Sequence, residues 1–395
     1  MNFLFILNTF YPNIGGVENA TLEICRKLRE KLHNVYILTT TKINFYPFNR
    51  KIAKFEEIDG IKIYRISYRF RIFGIPLKAL YLAKKFHINY IYVTDFWGIA
   101  ALLLKKFFKI PFVYVLNGYN PICPRGTLFS DKMCQGYRMV RCFKNCHYFS
   151  LRFIFTTFIT RLLIKEAQPL IAISKTIRDT FQSYYGNISI KVLYYGIDLQ
   201  KFRPTRFDSA ISDYNSKNSN KIILFFGRLI KERGISKFLL YFTELIKKIK
   251  CRLIIIGLGP DLIEIKSIIQ EQSIQNYVQL MGVLRNQNLI DMINRAHVVI
   301  LPILFPEPFG LIILEAMSCE KPIISFDLGG AKELIDDRKT GILIPPYNWT
   351  QFIEAICTLL QDDKLRNSLG KAARIKVEQN FSWDKFIDHF LRELS

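Results

Sequence analysis

The chain has 395 residues, half of them hydrophobic, and a formal net charge of +23. This composition excludes a disordered chain, and the length favours two domains that each bury a core. The charge is concentrated in residues 1–203, which carry 31 Lys and Arg against 11 Asp and Glu, whereas residues 204–395 carry 25 against 22. A basic half of this kind favours an anionic membrane surface or another polyanion as partner, with a solvated surface as the alternative. We predict no nucleic-acid partner, because no helix-turn-helix, zinc-finger or RNA-binding signature is present.

The hydrophobic runs predict no transmembrane helix, because none reaches roughly 18 uncharged residues. Met1–Leu7 lacks a basic flank and a cleavage site, so we interpret it as a buried strand and not as a signal peptide. Tyr148–Ile164 is the nearest approach to a membrane segment, and it contains Arg152 and Arg161. Such a basic, aromatic helix suits either the bilayer interface or the core of the first domain.

Short apolar runs alternate with longer amphipathic ones, which predicts α/β units around parallel sheets. We expect a first domain over 1–203, a polar linker over 204–220, a second domain over 221–375 and a terminal helix over 376–395 that packs back on the first domain. The predicted strands of the first half are Asn2–Asn8, Val35–Thr40, Ile61–Ile66, Tyr90–Val93 and Phe112–Leu116, with helices at Val17–Lys31 and Leu77–Phe86. Those of the second half are Lys221–Phe226, Arg252–Gly257, Val278–Gly282, Val298–Pro302 and Pro322–Phe326.

Glycines follow several of these strands. Gly15-Gly16 opens the first predicted helix, where backbone amides suit a diphosphate, although a plain tight turn has the same pattern. Gly227-Arg228 begins a loop that continues to Arg233-Gly234, and its basic residues suit phosphate or an ordinary surface. Gly257-Leu258-Gly259-Pro260 ends the next strand.

The stretch Pro306–Met317 is the most informative part of the chain. Two prolines keep Glu307 out of a helix, and Gly310 permits close approach of a ligand to the backbone. Leu311–Cys319 then reads as a short helix whose N-terminal amides suit a phosphorylated sugar, with Glu315 one turn along.

This stretch resembles the donor-site motif of retaining glycosyltransferases of the GT-B class (family 4, glycosyltransferase group 1). The resemblance implies an α/β fold of two Rossmann-like, doubly wound domains that face a cleft. The second domain would bind the nucleotide-sugar, with Glu315 on the ribose and Glu307 on the sugar as a catalytic residue, and the first would bind the acceptor. The other donor contacts that the resemblance implies are Gly16, Arg228, Arg233 (where lysine is usual), Gly257, Phe309, Gly310 and Leu311. A later Gly329-Gly330 element also matches, and its Glu333 is interpreted as a structural helix residue.

One position departs from the family pattern. Asn117 stands where a histidine is frequent, so it cannot act as a general base near neutral pH. As a catalytic candidate it could still position the sugar or support the developing oxocarbenium ion. The chain has no Asp-x-Asp, the spacing that holds a metal against a nucleotide diphosphate in the other main glycosyltransferase fold. We therefore expect no catalytic metal, with the leaving-group charge met by arginines and helix amides.

Four of the eight cysteines lie close together in an insertion over 120–147, where a structural zinc site competes with reduced thiols or one disulfide. They are Cys123, Cys134, Cys142 and Cys146.

The resulting hypothesis is a retaining, metal-independent glycosyltransferase that uses a UDP- or GDP-sugar and a glycan or lipid-linked acceptor, as in cell-surface polysaccharide or glycoconjugate synthesis. We expect it in the cytoplasm, peripheral on the inner face of the membrane. The alternatives are a nucleotide-sugar epimerase of the same fold and a non-catalytic glycan- or polyanion-binding relative.

Overall fold

The computed structural model describes residues 1–13, 15–42, 52–123, 126–128, 151–205 and 221–394. The chain forms two compact units: Met1–Gly196 with Trp383–Ser395, and Ile197–Ser382. The second unit therefore begins before the boundary expected at residue 203. Residues 206–220 of the predicted linker, and all of the cysteine insertion beyond residue 128, lie outside the described part of the chain.

The first unit contains an eight-stranded sheet of order β3-β4-β2-β1-β5-β6-β7-β8, in which every neighbouring pair is parallel except β3 and β4. Its strands are β1 (Asn2–Ile6), β2 (Asn34–Thr40), β3 (Phe55–Ile58), β4 (Ile61–Ile66), β5 (Tyr90–Val93), β6 (Phe112–Leu116), β7 (Leu170–Ala172) and β8 (Lys191–Val192). Its helices are α1 (Gly16–Glu30), α2 (Arg71–Lys85), α3 (Ile99–Phe108), α4 (Leu151–Glu166) and α5 (Lys175–Tyr185).

The second unit contains a six-stranded, wholly parallel sheet of order β11-β10-β9-β12-β13-β14. Its strands are β9 (Lys221–Phe226), β10 (Cys251–Ile256), β11 (Val278–Leu280), β12 (Val298–Leu301), β13 (Ile323–Phe326) and β14 (Ile342–Ile344). Its helices are α6 (Ile235–Lys248), α7 (Leu262–Glu271), α8 (Asn286–Arg295), α9 (Leu311–Ser318), α10 (Ala331–Leu334), α11 (Trp349–Gln361) and α12 (Asp363–Asn380).

Each sheet reverses its strand order at one place, between β1 and β5 in the first unit and between β9 and β12 in the second. Parallel sheets bury both faces, which is why the central strands β1, β6, β9 and β12 are almost continuous runs of buried apolar residues. Doubly wound sheets bind ligands outside the carboxyl ends of the strands at such a reversal. The fold thus marks two places for a site, one in each unit.

The last helix, α13 (Trp383–Arg392), packs on the first unit although it follows the second in sequence. The Phe390 ring lies against the rings of Phe3 and Tyr92, with centroid distances of 6.4 and 6.1 Å. Lys27 and Lys31 form ion pairs with acidic residues on its exposed side. The predicted terminal segment 376–395 is thus divided between the end of α12 and α13.

Two helices differ from their predictions in instructive ways. α2 begins at Arg71 and contains Pro76, whereas the sequence predicted a start after that proline. Proline is disfavoured inside a helix because it lacks the N–H donor, so local sequence rules favoured the later start. In α4, Phe153 is buried whereas Phe155 and Phe158 are more than half exposed, so this helix is partly core and partly surface.

Among the helices of the described residues, none has both the length and the apolar character that a membrane span requires.

Candidate functional site

The reversal between β9 and β12 brings together two loops that the sequence singled out. Gly227 and Arg228 follow β9 directly, and the segment 302–310 follows β12. Gly227 lies against α9, because a Cβ at this position would be 3.0 Å from the Cδ1 atom of Ile312. The end of β9 and the first turn of α9 are therefore neighbours at the carboxyl edge of the sheet.

Glycines at this edge allow backbone to pack on backbone. Gly257 has φ +150, and a Cβ there would collide with the carbonyl oxygen of Gly227. The Gly227 N–H donates to Ile256 (2.9 Å), and the Leu229 N–H donates to Leu258 (3.0 Å). The predicted Gly257 turn thus holds the loop that carries Arg228, without itself supplying a side chain.

Arg233 ends a short 3-10 turn. It lies beside the 302–310 loop because the backbone of the following residue packs closely against that loop. The next residue, Gly234, has φ +72, and a Cβ there would collide with the carbonyl oxygen of Pro302. The Leu304 N–H donates to the Glu232 carbonyl oxygen (2.8 Å). Arg233 is consequently buried, with its guanidinium 5.8 Å from the centre of the Phe305 ring.

Arg233 and Glu307, both predicted to contact the donor, contact each other. Arg233 Nη2 donates a 3.3 Å hydrogen bond to Glu307 Oε1, and Nη1 lies 2.9 Å from Oε2 in an ion pair without hydrogen-bond geometry. Arg233 Nε and Nη1 and Glu307 Oε2 are buried and have no hydrogen-bond partner among the described residues. Buried donors without acceptors are costly, so the guanidinium is a ready site for the oxygens of an anionic ligand.

The later glycine pair supports the Glu307 loop. The Gly330 N–H donates to the Glu307 carbonyl oxygen (2.6 Å), and a Cβ on Gly330 would collide with the carbonyl oxygen of Phe309. A Cβ on Gly329 would collide with the Glu307 backbone. Sequence reasoning noted the glycines but assigned them no function, because only the fold brings them under the Glu307 loop.

Helix α9 starts at this loop. Gly310 caps it in the left-handed region, with φ 105, which glycine adopts without strain. The amides of Leu311 and Ile312 have no acceptor within the helix by geometry, and the helix dipole adds partial positive charge there. The first turn can therefore bind an anion beside Arg228, whose side chain is exposed.

Glu315 lies one turn further along α9 and is partly exposed. Burial by the surrounding protein raises the pKa of Glu315 to about 7, against a smaller lowering by Lys201. No residue in the described ranges forms a hydrogen bond or an ion pair with its carboxylate. It is thus an acceptor available for a pair of hydroxyl groups.

The first unit has polar side chains at its own strand reversal. Asp95, after β5, accepts hydrogen bonds from the backbone N–H groups of Asn8 (2.7 Å) and Trp97 (2.8 Å). Burial raises the pKa of Asp95 to about 6, and these two hydrogen bonds oppose the shift. Sequence reasoning missed this residue, although polar residues directly after two neighbouring parallel strands were a usable signal.

The predicted Gly16 and Asn117 also belong to this unit. Gly16 begins α1, and Glu18 in its first turn accepts a 2.7 Å hydrogen bond from Thr9 Oγ1. Asn117 follows β6, and its amide nitrogen is buried. Burial raises the pKa of Tyr195 to about 12, and the neighbouring side chains of Tyr92 and Asn117 oppose that shift. Asn117 thus faces a buried group of tyrosines.

Of the four clustered cysteines only Cys123 is described, and it is buried with a free thiol. Cys134, Cys142 and Cys146 lie outside the described residues. Within the described ranges, no three His, Cys, Asp or Glu side chains are grouped so that they could hold a metal ion.

Comparison with known proteins agrees with this geometry in both units. Residues 14–201 match the family model for Glycosyltransferase Family 4, and residues 207–376 match that for Glycosyl transferases group 1. The chain is 22% identical to the N-acetyl-alpha-D-glucosaminyl L-malate synthase of Bacillus anthracis, over 97% of this chain and 94% of that protein. It is 23% identical to the alpha-monoglucosyldiacylglycerol synthase of Streptococcus pneumoniae, over 85% and 73%.

A solved structure with the same fold is Anabaena HepE in complex with UDP-glucose, with a TM-score of 0.77 and 19% identity over 100% of this chain and 99% of that one. The predicted fold class is confirmed: both units are doubly wound α/β structures of the GT-B type. The chain belongs to the glycosyltransferase group 1 and family 4 proteins, and it is a sugar-transferring enzyme.

Proposed function

We propose that this enzyme is a retaining, metal-independent glycosyltransferase that moves a sugar from a nucleotide-sugar to a glycan or lipid-linked acceptor. The observation that carries the proposal is the buried Arg233–Glu307 pair, whose unused guanidinium donors lie beside the loop that leads into α9. A diphosphate would supply the missing acceptors, and Glu307 would accept hydrogen bonds from the sugar. The UDP-glucose bound to Anabaena HepE supports a nucleotide-sugar donor.

In this reaction the bond between the sugar anomeric carbon and the diphosphate oxygen breaks, and the electron pair leaves with the nucleoside diphosphate. The acceptor hydroxyl oxygen bonds to the same face of the carbon, and its proton passes to the leaving phosphate. No protein nucleophile is needed. Arg228, Arg233 and the amides of Gly310, Leu311 and Ile312 would stabilise the charge that develops on the diphosphate, without a catalytic metal.

The acceptor and the location are inferred from charge. The basic first unit would bind the acceptor at the inner face of the membrane, as a peripheral cytoplasmic protein in polysaccharide or glycoconjugate synthesis. The name of the Streptococcus pneumoniae relative, alpha-monoglucosyldiacylglycerol synthase, supports a lipid-linked acceptor.

Glu307→Gln should lower transfer by about 10²-fold or more, because the neutral amide cannot stabilise the reacting sugar as a carboxylate does. Transfer from radiolabelled UDP- and GDP-sugars measures the effect. Glu354→Gln, an exposed change on α11, is the matched control and should be as active as wild type. A thermal midpoint close to wild type separates lost chemistry from lost folding. A folded, fully active Glu307→Gln enzyme would remove Glu307 from the site.

Arg228→Ala should weaken the binding of a nucleoside diphosphate by about 10-fold and leave the binding of the nucleoside unchanged, because Arg228 acts on phosphate charge. Calorimetric titration with UDP and uridine, or with GDP and guanosine, measures both. Arg252→Ala, an exposed change on β10, is the control. Equal losses for both ligands would contradict a role at the phosphates.

The affinity for nucleotide should rise with pH through the pKa of Glu315. A ribose diol donates to a carboxylate, so the protonated form must lose its proton before it binds well. With the pKa at about 7, affinity at pH 6 should be roughly 10-fold below its plateau near pH 8. In the Glu315→Gln variant, the affinity for nucleotide should be low and should not change with pH. A wild-type profile without this slope would place the ribose elsewhere.

A structural zinc ion held by Cys123, Cys134, Cys142 and Cys146 is a further proposal, since four closely spaced cysteines can bind zinc and couple its binding to folding. Elemental analysis of purified protein should find roughly one zinc per chain, and Cys142→Ser should lose it. A metal-free, folded and active preparation would show that the cysteines have another role.

A further inference from the structure

The exposed face of α2 in the first unit is apolar where a surface helix would normally be polar. Its opposite face, with Ile75, Ala79 and Leu82, already packs into the core. Yet Phe73 is 78% exposed and Leu77 is 66% exposed. Exposed apolar residues that form a contiguous group mark an interaction surface.

These residues form one stripe. Phe73, Leu77 and Tyr81 are spaced four apart, which places them on one side of the helix, and Phe70 just before the helix is 73% exposed. The stripe extends to α3, because Lys84 Nζ lies 5.4 Å from the centre of the Phe108 ring, and Phe107 beside it is exposed. We call Phe70, Phe73, Leu77 and Tyr81 the α2 stripe.

The segment that carries the stripe is strongly basic. Residues 68–109 contain eight Lys and Arg and a single acid, Asp95, which is engaged with backbone N–H groups at the strand edge. Lys78 and Lys85 lie over the Tyr81 ring, at 4.4 and 5.4 Å from its centre. Aromatic and aliphatic side chains bordered by lysines are the composition of a helix that lies in the interface of an anionic bilayer.

We propose that the α2 stripe inserts into the interface of an anionic lipid bilayer and that Lys78, Lys84 and Lys85 bind its headgroups. The inference rests on the proposed function for the choice of a membrane as partner. It moves the membrane contact from the predicted helix 148–164 to α2. In α4, which overlaps that segment, Phe153 is buried and Phe155 and Phe158 are about half exposed, whereas Phe73 and Leu77 of the α2 stripe are more exposed.

The test is flotation of the full chain with vesicles of phosphatidylcholine alone and with added phosphatidylglycerol, at low and high salt. Phe73→Ser/Leu77→Ser should lower the vesicle-bound to free ratio by about 10-fold or more in anionic vesicles, because both inserted side chains are lost. Lys78→Glu/Lys85→Glu should lose binding at low salt. Ile263→Ser, an 82% exposed residue on α7 of the second unit, is the matched control and should bind as wild type.

Three results would overturn the proposal. They are wild-type flotation of Phe73→Ser/Leu77→Ser, an equal loss in Ile263→Ser, and loss only in Phe155→Ser/Phe158→Ser, which would return the contact to α4. Sedimentation without vesicles tests a protein partner: a dimer that Phe73→Ser/Leu77→Ser dissociates would assign the stripe to self-association.

Binding of the donor nucleotide is measured separately from membrane binding. Binding of UDP or GDP without vesicles should be unchanged in Phe73→Ser/Leu77→Ser. If wild type binds vesicles but no nucleotide, the proposed function fails while the membrane surface stands.

Discussion

The buried pair of Arg233 and Glu307 is the interaction on which the candidate site depends. Two charges are withdrawn from water at the carboxyl edge of a parallel sheet, and the surrounding backbone holds them there. Gly234 lets the arginine approach the end of β12. Gly329 and Gly330 pack against the backbone of the loop that carries Glu307. A buried ion pair contributes little net stability, because desolvation offsets the attraction. The ion pair instead positions the two side chains, so that both are already in place for a ligand that needs a cation beside a carboxylate.

The contacts of Arg233 explain why an arginine can stand at this position, where the resembled glycosyltransferase motif usually has a lysine. A guanidinium has five N–H donors in a fixed fork, whereas an ammonium is a single compact charge. Arg233 uses one donor on Glu307 and keeps others without protein acceptors in the described chain. In the proposed function, Arg233 would hold the carboxylate and a phosphate together, so the replacement would retain the charge and add a second contact.

Much of the fold was accessible from the sequence, since periodicity and glycine placement locate strands that are buried on both faces. All ten predicted strands correspond to strands of the two sheets, with ends that differ by at most two residues. The strands β3, β7, β8 and β14 were missed. The start of α2 was predicted too late because tertiary contacts outweighed the local cost of Pro76.

The sequence by itself determined the α/β class of the molecule, and motifs such as Pro306–Met317, which encode local backbone geometry, singled out most residues of the candidate site. Only the tertiary structure decided which of those residues meet. Arg233 and Glu307 are distant in sequence, and their pairing depends on the strand order that makes β9 and β12 neighbours. The exposure of the α2 stripe could likewise not be predicted from the sequence, because a helix with apolar residues on two sides has the same composition as a fully buried helix. Packing alone determines which of its sides is covered.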